Sequence, residues 1–283
     1  MKKNALVFCG SANMTFAIAS ALMDFIKYNK YLVDDIIIFH NGISEKDIHL
    51  LKKISDCRCE LYKPPFSSEL NFTQGNIGYF TEMVLSKFEC LRLLENYNKL
   101  LYLDYDIVIK SDLKELFHKT SASGIRLQES GATIVRNQFT SDVDGYDMTL
   151  PSSGYGIFVL DNSLDLLKSH SSFYNWCINN TDRFLNKLYC PEQGIFELMF
   201  QEFNLYPERD INSDLYCCHP SLPNVDQAKI VHAYGQPKFW NGRNNEQWNT
   251  NYRQWIKMGG TPNMASKNNI SILEKLKKFI TRH

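Results

Sequence analysis

The first half of the chain alternates short apolar runs with longer amphipathic stretches. Residues 6–9 and 35–40 are apolar runs that predict strands, and residues 15–28 between them have helical spacing. Ser44 opens a second predicted helix that ends near residue 54, and residues 59–62 predict a further short strand. This alternation is typical of an α/β fold with a parallel sheet.

The strongest strand signal lies near the middle of the chain. Residues 100–103 form an unbroken apolar run, which predicts a strand buried on both faces and therefore central in the sheet. An amphipathic helix over residues 82–96 is predicted to lead into it. Asp104 and Asp106 follow this strand, as the turn after Cys9 follows the first one. Ligands bind beyond the carboxyl ends of parallel strands, so we expect one site at this edge of the sheet.

The two aspartates predict a metal site. Carboxylates this close repel each other unless a cation lies between them. Oxygen ligands beside a buried strand suit Mg²⁺ or Mn²⁺, which also bind phosphate oxygens. In the alternative interpretation, Asp104 and Asp106 merely end a strand and Ser111 caps the next helix. The buried strand before them and the helix start after them favour the metal site.

The order of elements changes after residue 117, which predicts a mixed sheet in the second half. The expected strands are at residues 131–135, 155–160, near 205 and 229–232, and the expected helices are at residues 173–179 and 192–203. No linker rich in Gly, Pro or Ser interrupts the chain before about residue 259. We therefore predict one domain over residues 1–258 and a tail over residues 259–283.

The end of the tail predicts a basic amphipathic helix. Within residues 269–283, four aliphatic side chains share one helical stripe and the basic side chains lie elsewhere. Such a helix lies on an anionic membrane or docks on its own domain, and the sequence favours neither.

Composition narrows the class of protein. The 283 residues are 44% hydrophobic, which is enough for a sizeable core. Because 31 basic residues balance 31 acidic ones, no cationic surface for nucleic acid is implied. The eight cysteines show no disulfide framework, and adjacent Cys217 and Cys218 lack the spacing of zinc ligands. No run approaches the roughly 20 apolar residues of a membrane span. The cysteine pattern fits a reducing cytosol best, so we expect a cytoplasmic protein.

The last predicted strand ends at His232 and is followed by Gly235, Lys238 and Trp240. An imidazole is a nitrogen ligand that Mn²⁺ accepts beside carboxylates. A glycine lets the backbone approach a phosphate, and a lysine offers it a point charge. Taken alone, His232 would be a half-buried structural histidine. The order of the four residues favours a site for a metal and a phosphate.

Two motifs together resemble the glycosyltransferase family of glycogenin and the bacterial lipopolysaccharide α-galactosyltransferases, family 8. They are residues 101–106 with Asp112 and Leu113 downstream, and His232-x-x-Gly235-x-x-Lys238-x-Trp240. The likeness extends from about residue 6 to residue 240. It implies a GT-A (Rossmann-like) fold, a nucleotide-sugar donor that is usually a UDP-hexose, and retention of the anomeric configuration.

Carried over by position, the resemblance assigns the metal and phosphate ligands. It implies that Asp104, Asp106 and His232 bind Mn²⁺ (or Mg²⁺), and that Gly235 and Lys238 hold the donor phosphates.

The resemblance also assigns residues around the nucleoside and the sugar. Lys87 stands where the family usually has an arginine, and Asn13 is the retained member of a motif that reads uridine and ribose. Cys9 and Tyr105 complete the expected donor site. Glu192 and Gln193 are implied near the anomeric carbon as the catalytic pair. In the alternative interpretation, Glu192 and Gln193 only begin a helix, where the helix dipole favours the negative charge of Glu192.

Two stretches depart from the family. Ser11-Ala12 replaces two acids of the uridine-reading motif, and Gly154-Tyr155-Gly156 replaces an Asn-Ala-Gly turn that faces the donor sugar. These departures keep open a non-catalytic relative that binds a nucleotide sugar. A second rival is a haloacid-dehalogenase-like phosphatase with Asp104 as the nucleophile. A Rossmann oxidoreductase is weaker, because residues 10–13 lack the glycine spacing that admits a pyrophosphate.

The sequence therefore predicts a metal-dependent retaining hexosyltransferase. Its expected acceptor is a glycan, a lipid-linked saccharide or a lipopolysaccharide-type molecule. We expect the protein in the cytoplasm, with the tail as a contact to the inner face of the membrane.

Overall fold

The computed structural model describes residues 3–66, 80–166 and 170–264. The strands are β1 Lys3–Gly10, β2 Asp35–His40, β3 Arg58–Leu61, β4 Tyr97–Leu103, β5 Ile107–Ile109, β6 Ile125–Gln128, β7 Ile157–Asp161, β8 Glu208–Ile211 and β9 Ile230–His232. The α-helices are α1 Thr15–Asn29, α2 Glu45–Ile54, α3 Glu89–Leu93, α4 Lys114–His118, α5 His170–Phe184, α6 Pro191–Glu202, α7 Ser213–Tyr216 and α8 Glu246–Lys257.

Seven of these strands form one mixed sheet in the order β3-β2-β1-β4-β7-β6-β8. The four strands on the β3 side, from β3 to β4, are parallel to one another. β7 runs antiparallel to both β4 and β6, while β8 is parallel to β6. β5 and β9 form a separate antiparallel pair. The prediction of an α/β fold with a mixed, mostly parallel sheet is confirmed.

The sheet separates two hydrophobic cores, because successive side chains of a strand point to opposite faces. In β1, Ala5 and Val7 belong to one core, whereas Leu6 and Phe8 belong to the other. The first core receives side chains from α3, α5 and α6, and the second from α1, α2 and α8. The central strands are thus buried on both faces, as their apolar runs indicate.

Two predicted strands of the second half are wrong, and one strand was not predicted. Residues 131–135 form no strand: Gly131 has a φ of +54° and a 3₁₀ helix follows at Val135–Gln138. The strand expected near residue 205 lies instead at β8. β6 was not predicted because it contains the charged residue Arg126. Arg126 is buried, and its Nε donates to Asp210 Oδ1 at 3.0 Å. A paired charge in a strand removes the apolar signature without preventing burial.

Two boundaries near the middle of the chain also differ from the predictions. The single helix expected over residues 82–96 is a 3₁₀ helix, Glu82–Phe88, followed by the short α3. Ser111 does not cap the next helix, since α4 begins at Lys114 with Leu113 in the N-cap position. Ser44 does cap α2, because its side chain accepts a hydrogen bond from the N–H of Asp47.

Three further expectations concern the tail, the membrane and the thiols. Residues 265–283, which include the predicted basic helix, lie outside the described residues, and the domain boundary stays a prediction. Within the described ranges, no helix is long and apolar enough to cross a membrane. All eight cysteines are free.

A buried carboxylate, Asp24, joins α1 to β5 and α8. It accepts hydrogen bonds from Ile109 N at 3.1 Å, Gln247 Nε2 at 2.7 Å and Asn251 Nδ2 at 2.6 Å. Only 1% of the residue is exposed. Burial raises the pKa of Asp24 from 3.8 to about 6, although the hydrogen bonds act in the opposite direction.

This burial predicts a pH-dependent difference between the wild type and Asp24→Asn. Between about pH 4 and about pH 6 the folded wild type keeps the Asp24 proton that the unfolded chain has released. The free energy of unfolding of the wild type should therefore fall by about 3 kcal/mol relative to the variant as the pH rises through this window. Urea unfolding across the window measures it, with Asp214→Asn, at an exposed carboxylate, as the control. A difference that does not vary with pH contradicts the prediction.

Candidate active site

The candidate site lies where β4 ends beside the start of β7. The N–H of Asp104, the first residue after β4, donates to Gly156 O at 2.8 Å. The chain then passes through Asp106 into β5. Ile107 on β5 pairs with His232 on β9 in antiparallel register. This register brings His232 beside Asp106 although the two are far apart in the sequence.

The structure brings the three predicted metal ligands together. One ligand atom each from Asp104, Asp106 and His232 lies within 4.8 Å of the other two. His232 Nε2 is 3.0 Å from Asp106 Oδ1 and 3.7 Å from Asp104 Oδ2. Asp106 and His232 are buried, whereas Asp104 is partly exposed. Two carboxylates and an imidazole are a ligand set that Mn²⁺ accepts, so the residues fit a divalent ion.

Gly156, the residue just before β7, leaves room for this cluster of side chains. A Cβ at Gly156 would lie against Cε1 and Nδ1 of His232 and 3.2 Å from Asp104 Oδ2. Any side chain at this position would therefore displace the imidazole or the carboxylate. The site depends on the missing side chain as much as on the ligands themselves.

Asp106 is compensated by two cationic groups. Besides His232, the ammonium of Lys238 donates to Asp106 Oδ2 and, at 2.9 Å, to Ala233 O. Burial would raise the pKa of Asp106, but the charges of His232 and Lys238 outweigh it and hold the pKa below its usual range. Burial likewise disfavours the charged imidazole, yet Asp106 raises the pKa of His232 well above its ordinary value.

A second buried ion pair lies on the other side of Asp104. Lys87 Nζ is 2.9 Å from Glu192 Oε1, 3.2 Å from Asp104 Oδ1 and 3.2 Å from Tyr155 O. Burial lowers the pKa of Lys87, but the negative charges of Asp104 and Glu192 outweigh it and raise the pKa above its ordinary value. Lys87 therefore links the metal-ligand cluster to the predicted catalytic helix, α6.

The predicted catalytic pair lies in the first turn of α6. Glu192 is 1% exposed, and its Oε2 has no hydrogen-bond partner within the described structure. Gln193 beside it is half-buried. The unpartnered oxygen marks a place where a ligand hydroxyl or amide can donate.

The remaining predicted donor residues are more dispersed. Tyr105 packs on Gly10, where a Cβ would lie 3.1 Å from its ring, and its ring centroid is 6.3 Å from that of Trp240. Asn13 is exposed in a 3₁₀ helix, and Gly235 is exposed with a φ of +69°. The thiol of Cys9 is buried in the core, which leaves only its backbone at this edge of the sheet.

Two side chains that contact the metal-ligand candidates, and a third beside Gly154, were not predicted. Tyr102 Oη donates to Asp104 Oδ1 at 2.6 Å, and Cys217 Sγ is 3.0 Å from His232 Nδ1. Gln128 Oε1 would be 2.8 Å from a Cβ at Gly154, so Gln128 stands where a longer residue at 154 would be. Only Tyr102 had a signal, since residues two apart in a strand share a face.

Comparison with known proteins identifies a family. The family model for glycosyl transferase family 8 matches residues 5–244. No curated protein sequence gives a significant match.

Solved glycosyltransferase structures share the fold at low sequence identity. The WbbM bifunctional glycosyltransferase in its apo form gives a TM-score of 0.65 at 13% identity, over 91% of this chain and 51% of that one. Galactosyltransferase LgtC, in complex with donor and acceptor sugar analogs, gives 0.59 at 14% identity, over 90% and 94%. The apo form of GlyE from Streptococcus pneumoniae TIGR4 gives 0.58 at 15% identity, over 93% and 65%. This chain thus spans about half of the WbbM chain, and the shared fold is GT-A.

The Lys87–Glu192 pair predicts a large and partly reversible loss of stability. Lys87→Met leaves Glu192 buried without a cation and should lower the free energy of unfolding by about 3–5 kcal/mol. The double variant Lys87→Met/Glu192→Gln should regain part of this loss, because it removes the uncompensated charge. Urea unfolding of the wild type, both single variants and the double variant measures the coupling.

The matched control is Lys114→Met, at an exposed position on α4. Its effect should stay within about 0.5 kcal/mol. If Lys87→Met unfolds at the same urea concentration as Lys114→Met, the buried pair does not hold this side of the site together.

Proposed function

The chain belongs to glycosyl transferase family 8 and is a glycosyltransferase, and on this premise we propose that it transfers a hexose from a nucleotide sugar with a divalent cation bound. The observation that carries the proposal is the converging set of Asp104, Asp106 and His232. The proposed donor is a UDP-hexose and the proposed ion is Mn²⁺ or Mg²⁺. The proposed acceptor is a glycan, a lipid-linked saccharide or a lipopolysaccharide-type molecule. The complex of LgtC with donor and acceptor sugar analogs supports this pairing of substrates.

The metal side of the proposed mechanism uses the strand ends. Asp104, Asp106 and His232 are the proposed ligands, and a bound divalent ion supplies Lewis-acid stabilisation of the leaving diphosphate. Lys238 is proposed to hold a phosphate oxygen, because its ammonium already lies at the cluster and is a point charge suited to phosphate. Gly235, with no side chain and a positive φ, is proposed to present its backbone to the diphosphate.

The sugar side of the proposed mechanism uses α6 and the residue that binds it. Glu192 and Gln193 are proposed to contact the hexose near the anomeric carbon, and Lys87 fixes Glu192 in place. The unpartnered Oε2 of Glu192 supports a contact with a sugar hydroxyl. Attack by the acceptor hydroxyl on the face that the diphosphate leaves retains the configuration and needs no enzyme nucleophile. Asn13, Tyr105 and the backbone at Cys9 are proposed to flank the nucleoside.

The rival hypotheses now differ in strength. The family match over residues 5–244 leaves no support for a haloacid-dehalogenase-like phosphatase. A non-catalytic relative that binds a nucleotide sugar is the competitor that the test must separate, because Ser11 and Gly154 depart from the family pattern.

A finer proposal concerns location and rests on sequence alone. We propose a cytoplasmic protein that touches the inner face of the membrane through the basic amphipathic pattern of residues 269–283. A lipid-linked or lipopolysaccharide-type acceptor would be presented at that surface.

The proposed function predicts metal-dependent release of a nucleoside diphosphate. A set of nucleotide sugars is first screened with Mn²⁺ by thermal shift, because a bound donor raises the melting temperature. The donor that binds should then be cleaved with Mn²⁺ and not with a chelator. Asp106→Asn should lower the rate of donor cleavage by more than about 100-fold. It alters a proposed metal ligand itself, whereas loss of a residue that only supports a ligand costs about 10–100-fold. Asp214→Asn, at an exposed carboxylate on α7 outside both motifs, is the control.

The outcomes separate the hypotheses. Cleavage that persists in the chelator contradicts the role of the metal. Binding of a donor without cleavage, in the presence of a panel of saccharide acceptors, identifies a non-catalytic relative. Release of inorganic phosphate in place of a nucleoside diphosphate identifies a phosphatase.

A further inference from the structure

We propose that Cys217 is a positioning residue for the metal ligand His232, an inference that rests on the proposed metal-dependent function. The thiol sulfur accepts the hydrogen bond of Nδ1 and so holds the imidazole with Nε2 directed to Asp104 and Asp106. Cys217 does not itself touch the ion or the substrate in this scheme.

The two nitrogens of His232 have separate partners. Nε2 lies 3.0 Å from Asp106 Oδ1, whereas Nδ1 lies 3.0 Å from Cys217 Sγ. Within the described ranges, Cys217 is the hydrogen-bond partner that Nδ1 has. A nitrogen that binds a metal carries no proton, so a metal at Nε2 leaves the imidazole proton on Nδ1, where the sulfur accepts it.

The backbone fixes the sulfur at this place. Cys217 follows α7, and its N–H donates to Ser213 O at 3.0 Å. The next residue forms a parallel bridge with β9: the N–H of Cys218 donates to Ile230 O at 3.2 Å, and the N–H of His232 donates to Cys218 O at 2.9 Å. Cys217 is therefore held in register with the strand that carries the metal ligand.

The surroundings of the ring explain why this partner matters. Gly156 lies against the ring atoms Cε1 and Nδ1, and the ring of Tyr234 approaches at a centroid distance of 5.6 Å in an edge-to-face arrangement. These contacts limit where the ring lies but do not decide which nitrogen faces the carboxylates. The sulfur supplies that choice. Cys217 is 7% exposed, so water competes little for the hydrogen bond.

The size of the effect follows from the acceptor. Loss of a hydrogen-bond partner of a metal-binding histidine weakens metal affinity about 10–100-fold. Sulfur is a weaker acceptor than a carboxylate. We therefore expect the lower end of that range.

The first experiment measures Mn²⁺ binding by electron paramagnetic resonance, without donor or acceptor. Cys217→Ala should bind Mn²⁺ about 10-fold more weakly than the wild type. Cys217→Ser, whose hydroxyl oxygen can accept the same hydrogen bond, should regain most of the affinity. Cys177→Ala is the matched control, because it removes a buried free thiol on α5 in the opposite core and should bind as the wild type does.

The second experiment needs no variant of Cys217, so it still tests the proposal if Cys217→Ala does not fold. Long-range proton–nitrogen correlation of ¹⁵N-histidine protein loaded with diamagnetic Mg²⁺ reports which imidazole nitrogen carries the proton. The signal of His232 is identified by its loss in His232→Gln. We expect the proton on Nδ1.

The outcomes keep this inference apart from the proposed function. If the wild type binds no Mn²⁺, both fall. If the wild type binds Mn²⁺ and Cys217→Ala binds it equally well, only the role of Cys217 falls. If Cys217→Ser binds Mn²⁺ as weakly as Cys217→Ala, packing and not the hydrogen bond explains the loss of affinity, and the proposal is overturned. A proton on Nε2 in the Mg²⁺-loaded protein also overturns it.

Discussion

The carboxylate of Asp106, held between an imidazole and an ammonium, is the contact on which the site depends. A buried charge is costly unless other groups compensate it, and both cationic partners of Asp106 come from the stretch that contains β9 and the residues after it. The site is therefore complete only in the folded chain, where residues 232 and 238 lie beside residue 106. The two-stranded pairing of β5 with β9 provides the frame for this closure.

Compensation of buried charge extends beyond Asp106 to the other charged side chains of the candidate site. Positive and negative groups alternate along a line of six side chains at hydrogen-bond or ion-pair distances. In order, they are Lys238, Asp106, His232, Asp104, Lys87 and Glu192. Each carboxylate is thus compensated by the protein's own cations, so the line is balanced before any ligand arrives. These ion pairs also orient the side chains that a ligand would contact.

The sequence predicted the parts of this arrangement that depend on local order. A buried strand followed by two acids, and a strand that ends in a histidine, have apolar runs long enough to locate Asp104, Asp106 and His232 at strand ends. Cys9 shows the limit of that argument, because the alternation of β1 turns its thiol into the core. Cys217 reaches His232 only because the next residue, Cys218, pairs with β9 in the folded chain. β6 was missed because a buried Arg126 is paired with Asp210, which no local pattern reveals.

The reversal of direction at β7 has a consequence for how such a site can change. Because β7 is antiparallel to β4, its beginning rather than its end lies next to Asp104. The chain reaches the start of β7 through one segment, residues 129–156, which follows β6. Gly156, the last residue of this segment, accepts the hydrogen bond from the N–H of Asp104, whereas the proposed metal ligands lie just after β4 and at the end of β9. Up to residue 153 this segment contributes none of the three proposed metal ligands, so a change in its length or sequence can reshape the surface beside Asp104 and leave the ligand set intact.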